Sequence, residues 1–208
     1  MKSNFIVLTF FLMGCILGWA GLFPEDFDTH QLSVYVLYCL MFQVGISIGS
    51  DKKLKPMVKS IRFKMLLLPI STIVGTLIFS ALVSLILTQW SLSDCLAVGS
   101  GFAYYSLSSI LITELKEASL GVQVAAELGT IALLSNIIRE MIALLGTPLL
   151  ARFFGRFAPI SAAGVNSMDV VLPAITRYSG AEMTTFAIFH GLLVDTSVPF
   201  FVTFFCSL

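Results

Sequence analysis

The residues AAGVNSMDVVLPAITRYSG, Ala162 to Gly180, decide how this chain folds. They set one acidic residue, Asp169, among Gly164, Asn166, Ser167 and Pro173, with long apolar runs on either side. A charged carboxylate on a lipid-facing helix costs about 3 kcal/mol at the bilayer centre, so it should be absent unless something uses it. An aqueous turn would tolerate Asp169, but the VVLPAI that follows would then expose a large apolar surface to water. The stretch therefore places Asp169 at membrane depth, facing an aqueous cavity and available to a cation or a proton.

Composition agrees with a membrane setting. Hydrophobic residues make up 57% of the 208 and charged residues 12%, against roughly 45–50% and roughly 25% in an ordinary soluble domain. The formal net charge is zero, and the dense basic cluster is DKKLKPMVKSIRFK, Asp51 to Lys64. A neutral chain with one such cluster between apolar runs has no footprint for nucleic acid; the cluster reads as a cytoplasmic loop. Cysteines 15, 39, 95 and 206 form no CxxC pair and lie in apolar runs, and there are two histidines. Neither a metal site nor a cofactor is expected from that inventory.

Working outward, the N-terminal run Phe5 to Phe23 passes through Gly14-Cys15 without stopping. It is close to the ~20 residues that cross the hydrocarbon core, which makes it a retained helix rather than a cleaved signal. Runs Gln31–Ser50 and Met65–Trp90 follow, separated by the basic loop. With that loop inside, the acidic turn PEDFDTH lies outside and the N-terminus is cytoplasmic. A helical stretch from Ser119 to Phe154 and a final run from Ala181 to Leu208 complete the pattern. The expected fold is an all-α integral membrane protein of about seven transmembrane segments, one domain over 1–208. Residues 1–90 are a three-helix portion and 91–208 a core. Two Gly/Ser-rich segments of that core, near 95–113 and 160–178, are expected to be interrupted or re-entrant.

Those two segments echo each other. GFAYYSLSSILIT from Gly101 and GVNSMDVVLPAIT from Gly164 align at an offset of 63, matching Gly101 with Gly164, Ile112 with Ile175 and Thr113 with Thr176, and setting Ser106 against Asp169. Paired interrupted segments in corresponding positions point to a transporter's central site, although two Gly-rich linkers can also match by chance.

Asn136 and Glu140 stand four residues apart and share a helix face, so both can line one pocket with Asp169, Asn166, Ser167 and Ser106. Alternatively Glu140 neutralises Arg139 or Arg177. Glu114 and Glu127 sit nearer segment ends and read as interfacial. His190 and Asp195, five apart, diverge by about 140° on a helix and form no dyad. His190 is either a packed, hydrogen-bonded histidine or part of a proton relay. Tyr104 and Tyr105 line a cavity or anchor an interface.

At GFAYYSLSSILITE, NIIREMIAL, NSMDVVLPAITRYSGAEM and FHGLLV the chain resembles the lysine exporter family of bacterial inner-membrane proteins. The resemblance implies export of L-lysine and its toxic analogues, with an intramembrane acid at Asp169. It places the family's RE pair on Arg139 and Glu140, its SMD on Ser167 to Asp169 and its HG on His190 and Gly191. Full-length members carry a further hydrophobic N-terminal portion with a second acidic residue. By that comparison the chain looks like the larger, C-terminal half of a split transporter, whose partner is a small hydrophobic protein encoded nearby.

The expected activity is thus a carrier in the bacterial cytoplasmic membrane that binds lysine or an analogue at Asp169, Glu140, Ser106, Asn136, Ser167 and Asn166. Arg139, His190, Glu114 and Tyr105 are accessory candidates. The lysine carboxylate suits a half-helix N-terminus near Gly101 or Gly164. Export of a cation against an inward-negative potential costs about 2.3 kcal/mol per charge per 100 mV, which calls for inward proton movement. Two other readings stand beside it: an intramembrane hydrolase using Ser106 and His190, although no GxSxG elbow surrounds Ser106, and a non-transporting assembly subunit.

Overall fold

The structure is a computed structural model that describes residues 63–208 continuously and isolated positions before them. The first two expected spans, the acidic turn and most of the basic loop lie outside the described residues. The chain divides into two compact units, Met1–Val36 and Leu37–Leu208. In the first, the described positions Thr9, Met13, Gly14, Ile16, Leu17 and Tyr35 are helical. The second unit holds everything that follows.

Among the described residues the protein is all-α. Helices α1 (Phe63–Ser84), α2 (Leu92–Gly99), α3 (Tyr105–Leu120) and α4 (Val122–Phe154) come first. They are followed by α5 (Ala158–Ala163), a 3-10 turn (Gly164–Met168), α6 (Leu172–Ser179) and α7 (Met183–Cys206). Among the described residues three stretches are long and apolar enough to cross a membrane: Met65–Ser84, Val122–Phe154 and Met183–Cys206. The third apolar run ends six residues short of Trp90, because Leu85, Ile86 and Leu87 close into turns. The stretch read as one helix from Ser119 divides at Gly121, whose φ of 80° ends α3 and begins α4. That left-handed conformation is accessible to glycine and strained for other residues.

The first expected interruption falls between α2 and α3. Ser91 caps α2 reciprocally: its hydroxyl accepts from the Asp94 N–H and its own N–H donates to Asp94 Oδ2, each at 3.1 Å, a capping box. Asp94, in the first turn of α2, also pairs with Lys116 near the end of α3, at 2.9 Å, both side chains buried. The start of α2 and the end of α3 are therefore at one level, and the segment doubles back at residues 100–104. The turn forces φ of 44° on Phe102 and 74° on Ala103, costly backbone that the surroundings must hold.

The second interruption has the same plan. Arg156, just before α5, donates from Nε to the Ser179 carbonyl at the end of α6, at 2.6 Å, and from Nη2 to the Glu182 carboxylate. Again the two feet are tied, here with the cation on the entering strand of chain and the acid on the leaving one. The turn is at Gly164, φ 59°.

The two turns touch. Val165 N–H donates to the Phe102 carbonyl at 3.0 Å, and Asn166 Nδ2 to the Ala103 carbonyl at 3.3 Å. A Cβ on Gly164 would lie 2.2 Å from the Phe102 oxygen, so only glycine allows this approach. Around the junction Phe102, Leu107, Ile112, Leu128, Val165, Val194, Val198 and Val202 form one buried core. Apolar packing between α3, α4 and α7 thus fixes where the polar breaks meet.

Candidate functional site

Backbone that leaves a helix inside an apolar body must find new partners for its amides and carbonyls. Asn136, in the middle of α4, supplies one: its Oδ1 accepts the Ala103 N–H at 2.7 Å. Its Nδ2 donates to the Ala132 carbonyl at 2.9 Å and to Ser108 Oγ at 3.3 Å. One turn further along, Glu140 Oε2 accepts from Asn166 Nδ2 at 2.8 Å. Asn136, Glu140 and Asn166 are all buried, and the shared face of Asn136 and Glu140 is where both turns rest.

Asp169 follows the 3-10 turn, is exposed, and has its carboxylate on the neighbouring Val170 N–H. Tyr104 and Tyr105, both half-buried at the start of α3, lie within electrostatic reach of Asp169; Tyr105 also reaches Glu140, and Tyr104 reaches Asp195. Asp169, Glu140 and Asp195 are thus each within electrostatic reach of one or both of these phenols. Such a set attracts a cation, and phenol and amide groups can share its ammonium hydrogens.

The other expected residues separate from this group. Ser106 is half-buried in the first turn of α3, beside the break. Ser167 is fully buried and faces α7, its hydroxyl 2.9 Å from the Ala187 carbonyl and 3.1 Å from His190 Nδ1. His190 is also fully buried, and its Nε2 meets Thr72 Oγ1 of α1 at 3.0 Å. Thr72 directs its own hydroxyl to the Leu68 carbonyl at 3.0 Å. With both ring nitrogens engaged by other hydroxyls, His190 has no position open toward Ser106. Glu114 is half-buried far down α3 from the break.

Arg139 points to the opposite side. Its guanidinium donates to the carbonyls of Ala162 at 3.0 Å and Ser161 at 3.2 Å, and to Thr76 Oγ1 at 3.4 Å. It borders a cavity of about 620 Å³ whose polar lining includes Thr76, Ser135 and Asn136. None of the three carboxylates lines that cavity, and its charged group is a cation. The carboxylate-bearing side, not this cavity, has the electrostatics for a cation.

Ser108, which props Asn136, and Asp195, which sits buried in α7, are not among the site candidates that the sequence offers. A signal for Asp195 was present in Pro199, four residues on.

A family model described as Lysine exporter LysO matches residues 8–206. Lysine exporter LysO of Escherichia coli K12 is 32% identical over 197 residues, which are 94% of this chain and 62% of that protein. The chain thus spans about 62% of that relative's length. A putative lysine exporter of Haemophilus influenzae is 29% identical over 204 residues, 97% of each chain. No solved structure matches the chain significantly.

Proposed function

The chain belongs to the lysine exporter LysO family, and from that premise we propose that it exports L-lysine or a related cationic amino acid across a bacterial cytoplasmic membrane. The observation that carries this reading is the gathering of Asp169, Glu140, Tyr104 and Tyr105 beside two helix breaks held between apolar spans. Glu140 and Asp169 offer anionic oxygens to an ammonium group. The lysine carboxylate finds amide donors at the N-terminus of α3, a 16-residue helix with no side-chain cap, where the macrodipole favours an anion.

In this reading α2–α3 and α5–α6 are re-entrant hairpins that enter from opposite sides and meet at the midplane. Their tied feet and touching turns support it. With the basic loop inside, the Asp94–Lys116 foot lies outside and the Arg156–Glu182 foot inside. Arg152, Arg156 and Arg177 then fall on the cytoplasmic side, as loop-charge asymmetry requires. Inward proton movement through the carboxylates drives the outward cation, making the protein an antiporter.

The greater length of the E. coli relative supports a further element of the proposal, although the H. influenzae relative is matched over 97% of its own length. A small hydrophobic partner encoded nearby supplies a second portion of the transporter. Asp169-dependent efflux by this chain alone would count against that partner and leave the carrier intact.

Resistance of cells to a toxic lysine analogue tests the export reading. Cells that depend on this protein should lose protection with Asp169→Asn while the protein remains inserted. Full protection by the Asn variant would contradict the assignment of the site.

A further inference from the structure

Asp195 lies at the centre of α7, 5% exposed. Among the described residues it has neither a hydrogen bond nor an ion pair. A buried carboxylate in a membrane span is retained against a high solvation cost, and one left without a protein partner is waiting for something else. Its surroundings are already in place. Asp169 and Tyr104, each at one of the two helix breaks, are the groups within its electrostatic reach.

A second feature marks the same residue. The α-helical partner of the Asp195 carbonyl would be the N–H of residue 199, and residue 199 is proline. Proline has no N–H, so that carbonyl is released from the helix ladder. Neighbouring carbonyls in the turn gain side-chain donors, Leu193 from Thr196 Oγ1 at 2.9 Å and Val194 from Ser197 Oγ at 2.6 Å. No side chain among the described residues donates to the carbonyl of Asp195. A carboxylate without a protein partner and a carbonyl without its i+4 amide donor thus lie on one residue and concentrate negative charge at one depth of the span.

We propose that Asp195 receives the side-chain ammonium of the transported amino acid, opposite the α3 N-terminus that takes its carboxylate. The inference rests on the export reading and extends it. Glu140 and Asp169 make the breaks attractive to any cation, whereas Asp195, buried and without a partner, selects for a substrate that carries a second ammonium. A ligand with a terminal ammonium on a carbon chain fits, and one lacking that ammonium leaves Asp195 buried and unpaired.

The test uses inside-out membrane vesicles from cells expressing the protein at its own locus, with labelled lysine uptake as the readout. Two competitors separate the substrate's ends: cadaverine, which keeps the ammonium and lacks the carboxylate, and norleucine, which lacks the side-chain ammonium. Asp195→Asn should raise the KM for lysine at least ~10-fold, the scale of one lost charge-assisted hydrogen bond. It should abolish competition by cadaverine and leave weak competition by norleucine unchanged. An unchanged KM with unchanged cadaverine competition overturns the role of Asp195 while export stands. No lysine accumulation by inserted wild-type protein instead defeats the export reading itself. A measurement on the wild-type protein covers the case in which the variant does not insert. Lysine and cadaverine should protect Asp195 from an apolar carbodiimide, detected by peptide mass, and norleucine should not; modification indifferent to lysine and cadaverine overturns the proposal.

Discussion

Val165 donates its main-chain N–H to the carbonyl of Phe102 across 3.0 Å, and the two residues are 63 positions apart, the offset at which the Gly-rich segments echo each other. The next residue pair repeats it, Asn166 Nδ2 to the Ala103 carbonyl, and so does Arg139 to Thr76 between α4 and α1. Equivalent positions of two repeats touch each other only where a two-fold axis passes between them. The pattern fits the proposed arrangement, in which α1–α2–α3 and α4–α5–α6 are two copies of one unit that meet at their turns.

That contact makes Gly164 irreplaceable. Gly164→Ala puts a Cβ 2.2 Å from the Phe102 oxygen at a φ of 59°, which should cost roughly 2 kcal/mol or more. Thermal unfolding in detergent should show a clear drop in Tm. Gly75→Ala, where nothing lies within 4 Å, should leave Tm close to wild type. Equal behaviour of the two variants would argue against close apposition of the turns.

Asn136 is expected to act through the backbone it satisfies. Asn136→Ala leaves the buried Ala103 N–H without its acceptor, a loss of about 1–3 kcal/mol. Asn136→Asp keeps that acceptor and loses the donors to Ala132 and Ser108. Hydrogen exchange at residues 100–104 should therefore accelerate far more in the Ala variant than in the Asp variant.

The two feet should differ in strength. Asp94 and Lys116 are each 6% exposed at the side chain, Arg156 and Glu182 53% and 57%. Removing one partner of the buried pair, as in Lys116→Met, should destabilise by about 3–5 kcal/mol, and exchanging the two charges should recover part of the loss. Glu182→Gln should cost no more than about 1 kcal/mol. Chemical denaturation in mild detergent would expose a reversed ranking.

The proposed inversion can be read by thiol labelling. In a cysteine-free background, cysteine at Ser93 should react with an impermeant reagent in intact cells, and cysteine at Glu182 should react only after permeabilisation. Labelling of both from the same side would remove the inverted-repeat account.

Much of this was legible in the residues. Gly101 and Gly164 mark the breaks, four-residue spacing puts Asn136 and Glu140 on one face, and the 63-residue offset pairs the two segments, though not the contact between their turns. Other features need the chain to reverse direction before they exist. Asp94 and Lys116 are 22 positions apart, and nothing in either neighbourhood announces the partner. Ser167 and Asp169 are adjacent in one motif, yet the 3-10 turn sends Ser167 to His190 and leaves Asp169 exposed; helix or strand periodicity does not anticipate that divergence. Asp195 was read only against His190, when the informative neighbour was Pro199.

The central claim is that a carboxylate at the junction of the two turns carries the exported cation. Efflux of labelled lysine from liposomes containing the purified transporter, started by acidifying the outside, tests it most directly. The account predicts acid-stimulated efflux by the wild type and a loss of at least ~10-fold with Asp169→Asn, at equal protein content. Efflux by the Asn variant at the wild-type rate would contradict it.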